Sequence, residues 1–267
     1  MNIFDLPAAM AIQIGRLYLK PRAVHDWLSR SCRMLICEQP DRSLPLYRRG
    51  SSTLIRFRSK NHVVFTRHQL DIPRGRDPDT SILETVRINS GHDRLANIPL
   101  QHCIFSTSHS DEEFHDLIVC EAADQWGRRL SDAPHFFPLE PFHDGERHFS
   151  WIVGYPHIDG VIDEYHETFE PGLPGQINIK RALMDCIFDP TFRSRARHYR
   201  RYAHSRPDAV MDGFSGGAVF SLVGSIEGLR VVLDGIVVRA GPHDIYVVDS
   251  DYLLFALETS ATRATIG

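Results

Sequence analysis

The hydrophobic pattern changes character near Gly50. Before it, Asp5 can cap a helix, Pro7 suits a first turn, and Ala8 to Leu19 carries an apolar pattern of helical type that stops at Pro21. Ala23 to about Leu35 then places Val24, Trp27, Leu28 and Met34 near one helical face. Residues 5 to about 36 are therefore expected to be helical, and Glu38 to Leu46, with Pro40 and Pro45, to be a linker. After Gly50 the period shortens. Ser52 to Phe57 and His62 to Thr66 are β-like around an Arg58-Ser59-Lys60-Asn61 turn, a hairpin that runs straight into Arg67-His68. Further strands are expected at Thr85 to Ile88, His102 to Phe105, Leu117 to Cys120, Phe149 to Tyr155, Ala218 to Val223, Leu229 to Val238 and Ile245 to Val248. Leu253 to Glu258 reads as a terminal helix, and between Ile177 and Arg206 strand, helix and basic loop do not separate. Many short strands with few long helices predict an all-β barrel or sandwich.

Composition narrows this picture. The 267 residues suffice for one large domain or two small ones that share a seam, and 42% hydrophobic residues support an ordinary globular core. A formal net charge of −4 gives no reason to expect a nucleic-acid partner. No apolar run is long enough to cross a membrane, and Met1 to Asp5 lacks the basic segment and apolar core of a signal peptide. The five cysteines are odd in number and irregular in spacing, with no disulfide framework and no CxxC pair for zinc, so a cytoplasmic location is expected. Charge is uneven, however. Arg193 to Arg206 holds six arginines and two histidines without an acid. Such a run is ordinarily a solvated face or exposed loop, and otherwise a partner or substrate patch.

The chemistry gathers at Met211-Asp212-Gly213-Phe214-Ser215-Gly216-Gly217. Glycines around a serine permit a tight turn, leave the hydroxyl unobstructed and let neighbouring N–H groups converge on one point, as an oxyanion requires. The same string is also an ordinary glycine-rich hairpin turn. Hydrolysis through a serine needs a base and a carboxylate that orients it. His68, at the end of a predicted strand, and Asp116, just ahead of another, supply that pair in chain order. Singly, each has a plain reading, as a surface histidine and a turn aspartate. His109, Asp111, Glu112, His115 and Asp116 also cluster, but such a loop is ordinarily solvated, and no metal is expected. The Gly213-x-Ser215-x-Gly217 spacing also fits a nucleophile elbow, which needs a helix after the serine and then an acid and a histidine. Here a β-like run follows, and His243 is the only later histidine.

Taken together, His62 to His68, Asp116 to Val119 and Gly213 to Gly217 resemble the three signatures of trypsin-like, chymotrypsin-fold serine peptidases. Ile152-Val153-Gly154-Tyr155-Pro156 resembles a Gly-Tyr-Pro strand of bacterial members, and Leu233 to Val238 resembles the strand that flanks the substrate. The resemblance covers about residues 48 to 258. It implies two perpendicular six-stranded β-barrels, the first at about 48–135 and the second at about 136–260, behind an N-terminal helical extension (1–47). His68 would be general base, Asp116 its orienter and Ser215 the nucleophile, with the N–H groups of Gly213 and Ser215 as oxyanion hole. Substrate would pair with Val238, Arg239 and Ala240, and Ala209 would line the bottom of the specificity pocket. The expected partners are a protein or peptide substrate and a regulatory protein, with no cofactor. The alternative is a silent scaffold of the same fold that binds peptides or docks partners. Phe214 stands where animal trypsins carry an aspartate, Arg67 where a small residue is usual, and Ala218 where proline is usual.

Overall fold

A computed structural model describes residues 3, 6, 10–38, 46–71, 84–88, 98–105, 116–123, 136–141, 145–156, 181–195, 198–206, 208–225 and 228–266. The strands are β1 (Ile12–Ile14), β2 (Leu17–Leu19), β3 (Cys32–Glu38), β4 (Leu46–Phe57), β5 (Lys60–Thr66), β6 (Val86–Ile88), β7 (Leu100–Phe105) and β8 (Leu117–Ala122). They continue with β9 (Phe137–Pro138), β10 (Glu146–Gly154), β11 (Ala182–Phe188), β12 (Tyr199–Ala203), β13 (Ala218–Ser225), β14 (Gly228–Ala240) and β15 (Asp244–Asp249). Helix α1 is Pro21–Ser29, and a C-terminal helix, α2, is Ser250–Ile266. Neither is long and apolar enough to cross a membrane.

The strands form two curled sheets. One follows the order β6-β3-β4-β5-β8-β7, with β9 beside β4. The other runs β13-β10-β11-β12-β15-β14 and closes through β13–β14 pairing into a six-stranded barrel, with β1 and β2 continuing outward from β14. Strand periodicity explains why several strands read as nearly continuous apolar runs. In β5, Val63 and Phe65 point into a cluster within the first sheet, whereas Val64 points into a cluster shared by both sheets. β8 sorts likewise, with Ile118 and Cys120 on one side and Leu117 and Val119 on the other. In β13, Phe220 and Leu222 face the shared core and Val219 faces the interior of the second barrel. Successive side chains alternate faces, and here both faces are covered.

The N-terminal expectation needs correction. Among the described residues of that segment only Pro21–Ser29 is helical; Pro21 opens the helix instead of ending one, because its fixed φ and missing N–H suit a first helical position. Ile12-Gln13-Ile14 alternates with period two, and Gly15 at φ 54° turns the chain so that Ile14 pairs with Leu17. β1 then runs parallel to β14, with Ile12 opposite Leu229, while β3 pairs with β4 and β6 in the other sheet. Val24 and Leu28 of α1 are fully buried in the shared core, and Trp27 packs edge-on against Phe137 with centroids 5.7 Å apart. The described strands before residue 48 are thus part of both sheets, not an appendage.

Two further expectations change. Within the basic run, Tyr199–Ala203 is a barrel strand paired with β15, and Tyr202 is fully buried between its arginines. Arg201 is paired with Asp189, and Arg200 Nη2 lies 3.0 Å from Asp249 Oδ2. Hydrogen bonds from Thr191 and then from Arg201 hold the Asp189 carboxyl far below the usual carboxylate range. Cys103 and Cys120, opposed on β7 and β8, form a disulfide, whereas Cys32, Cys37 and Cys186 are free and buried. The inference of a reducing compartment therefore loses its premise at that pair.

Candidate active site

β5 ends in a single 3-10 turn, His68–Leu70, that Asp71 closes in the left-handed region at φ 56°. β8 pairs with β5 so that Thr66 lies opposite Leu117, which puts Asp116 beside the turn. The contact is threefold. Arg67 N–H donates to the Asp116 carbonyl at 2.6 Å, His68 N–H donates to Asp116 Oδ1 at 3.1 Å, and His68 Nδ1 lies 2.6 Å from Oδ2. A carboxylate only accepts, so this contact calls for an imidazole proton on Nδ1. Asp116 is 7% exposed, while the His68 side chain is 48% exposed and open to a reactant.

Ser215 comes from the other barrel, in the connection between β12 and β13. Gly213 at φ 88° and Gly216 at φ 79° give the loop a conformation that side chains resist. Gly216 N–H donates to Val237 O and Val237 N–H to Gly217 O, both at 2.8 Å, which fastens the loop to β14. The opposite side is held by the first sheet. Ser51 N–H donates to the Ser215 carbonyl at 3.1 Å, Ser51 Oγ to the Gly213 carbonyl at 2.7 Å, and Thr53 Oγ1 to the Gly216 carbonyl at 2.8 Å. Tyr155 N–H donates to Ser51 Oγ at 2.8 Å. Gln69, next to His68, donates from Nε2 to the carbonyls of both Ser51 and Ser215 at 2.9 Å. Three loop carbonyls are thereby turned toward β4. Among the described residues, no protein acceptor takes the N–H of Gly213 or Ser215, and no hydrogen bond joins Ser215 Oγ to His68.

The four residues expected to meet substrate divide. Ala209 and Ala240 both pack on the rim of the second barrel's interior cluster. Val238 is 8% exposed and belongs to the shared core, and Arg239 is exposed beyond a register shift between Val237 and Arg239. Phe214 is fully buried among Ile152, Met184, Met211, Val219 and Val247. It also packs so closely on Gly154 that a Cβ there would stand 2.7 Å from its ring. The acid and histidine cluster at 109–115 lies outside the described residues, and among the described residues no group of metal-ligating side chains occurs. Sequence reasoning missed Gln69, Ser51 and Thr53; for the last two the local signal is the polar stretch Gly50-Ser51-Ser52-Thr53 within β4.

No protein-family profile and no curated protein matches this sequence. Solved structures do. The scabies mite inactivated protease paralogue S-I1 aligns with a TM-score of 0.50 at 12% identity, over 88% of this chain and 96% of that one. The protease Anisep from Arthrobacter nicotinovorans aligns at 0.48 and 13% identity, over 84% and 91%. The thermostable serine protease AL20 from an extremophilic microorganism aligns at 0.46 and 13%, over 83% and 91%. With its closed six-stranded barrel facing a curled half-barrel, the chain has the chymotrypsin fold of the trypsin-like serine proteases.

Proposed function

We propose that this protein is a serine endopeptidase working through Ser215, His68 and Asp116. The observation that carries the reading is the His68–Asp116 pair, closed by both a side-chain and a main-chain hydrogen bond, on the turn whose next residue binds the Ser215 carbonyl. His68 Nε2 takes the Ser215 proton as Oγ attacks the scissile carbonyl, and Asp116 stabilises the imidazolium that results. The tetrahedral oxyanion accepts from the N–H groups of Gly213 and Ser215, which have no other acceptor among the described residues. His68 then protonates the leaving amine, and water hydrolyses the acyl-enzyme by the same steps in reverse order. Peptide lies along Val238 to Ala240, with its side chain toward Ala209.

A second reading, a silent docking scaffold, has its own support in the lack of a direct hydrogen bond between Ser215 Oγ and His68. Catalytic hydrogen bonds are often long in free enzymes and tighten on substrate, so the peptidase reading is preferred. A fluorophosphonate probe distinguishes the two. Labelling of Ser215 in the wild type, its loss in Ser215→Ala, and loss of peptidase turnover by about 10⁴-fold or more in Ser215→Ala and His68→Ala are the expected results. A folded wild type that neither labels nor cleaves a peptide library would establish the scaffold instead.

A further inference from the structure

We propose that Gln69 is a positioning residue whose side-chain amide sets Ser215 against His68, by holding the nucleophile's own carbonyl to the turn that carries the base. This rests on the peptidase reading. The difficulty it addresses is geometric. Asp116 fixes the His68 ring to the first sheet, but Ser215 belongs to the second barrel, and the His68–Asp116 contact does nothing to fix one sheet against the other. Gln69 does so from the residue next to the base.

The amide is 3% exposed and uses its full hydrogen-bonding capacity. Oε1 accepts from the N–H and the hydroxyl of Thr66 at 2.8 Å each, and Nε2 donates to the carbonyls of Ser51 and Ser215 at 2.9 Å each. Two donors face one end and two acceptors face the other, so the network itself decides which end is nitrogen. Glycines make room for it. A Cβ at Gly50 would stand 2.7 Å from Nε2, and one at Gly216 would stand 2.8 Å from Oε1. Glutamate lacks the donors, leucine lacks both functions, and asparagine is shorter by one carbon.

A buried amide that merely fills a polar hole would stabilise the fold and nothing more. Positioning makes a different demand, because the Ser215 carbonyl must be drawn toward β4 for the neighbouring N–H groups to turn the other way. Glutamate separates the two roles. At position 69 its carboxylate would confront two carbonyl oxygens, and only the protonated acid could donate to one of them. Burial and these acceptors favour the neutral form, so the competent state of Gln69→Glu is populated at low pH and lost as pH rises.

The test is the pH dependence of fluorophosphonate labelling at Ser215 in wild type, Gln69→Leu and Gln69→Glu, with thermal unfolding measured on each. Expected are a labelling wild type, a folded Gln69→Leu slowed about 100-fold at every pH, and a Gln69→Glu whose rate relative to wild type falls as pH rises. Wild-type rates in both variants would overturn the proposal, as would equal losses at all pH that simply follow the drop in unfolding temperature. Should Gln69→Leu not fold, the Gln69→Glu profile decides alone. A wild type that does not label removes the peptidase reading and this inference with it, whereas failure of the inference alone is seen only in the variants.

Discussion

Gly216 shows how little freedom a single position next to Ser215 has. Its φ of 79° is open to glycine, and a Cβ there would stand 2.1 Å from the Ser51 carbonyl oxygen. Gly228 has φ 122° but nothing within 4 Å of its Cβ position. Gly228→Ala should therefore cost only the backbone penalty, about 1–3 kcal/mol. Gly216→Ala adds a clash with main chain that cannot swing aside, so it should unfold at a distinctly lower temperature and label poorly at Ser215. Equal unfolding temperatures for the two variants would show that the Ser51 contact does not matter. The same contrast explains what could be read from the chain at this scale. The His68–Asp116 pairing and the glycine turn at Ser215 were legible because their side chains carry distinct chemical functions in telling local contexts. Gln69 and Ser51 were not, because their role is to bind carbonyl oxygens, and any polar side chain in a strand or turn looks the same until those carbonyls arrive from elsewhere.

Whole elements were read well where both faces of a strand are covered, as in β5, β8 and β13, since apolar runs of that length between turn residues have few other uses. Reading failed where one face is polar. Ile12-Gln13-Ile14 is too short for its period to stand out, and Tyr199–Ala203 hides a buried tyrosine among arginines whose partners, Asp189 and Asp249, lie outside the run. His62 makes an element-level prediction. It lies in β5 opposite Glu121 and is 5% exposed, and burial pushes its imidazole below the ordinary histidine value, partly offset by Glu121. The unfolded chain then takes up a proton at a pH where the folded chain does not. Stability is full above about pH 6.5 and falls as pH drops from there toward the lower folded value. His25, also lowered by burial, acts in the same direction. Replacing His62 with leucine should make the acid limb of a urea-unfolding series shallower, and an unchanged slope would exclude His62 as a contributor.

At the scale of the molecule, Phe214, at the position where the resemblance to trypsins implies an aspartate, is a fully buried ring without charge. Burying an ammonium there without a partner would cost several kcal/mol. A chain with a blocked N-terminus should therefore label at Ser215 as fast as one with a free amino group, and dependence on the free group would refute this. Deleting residues 1 to 38, by contrast, should leave an insoluble product, because α1 fills the shared core and β3 has β4 and β6 as neighbours. The short strand β1 carries a consequence for time as well as space. Ile12 and its partner Leu229 stand 217 residues apart along the chain. Parallel pairing across such a span waits for all the chain between the two strands, and long-range pairs of this kind form slowly. Until then the first sheet can assemble while β1 stays an open edge. Docking of β1 on β14 is thus expected late in assembly, and the chain should be most exposed to wrong partners before those two strands meet.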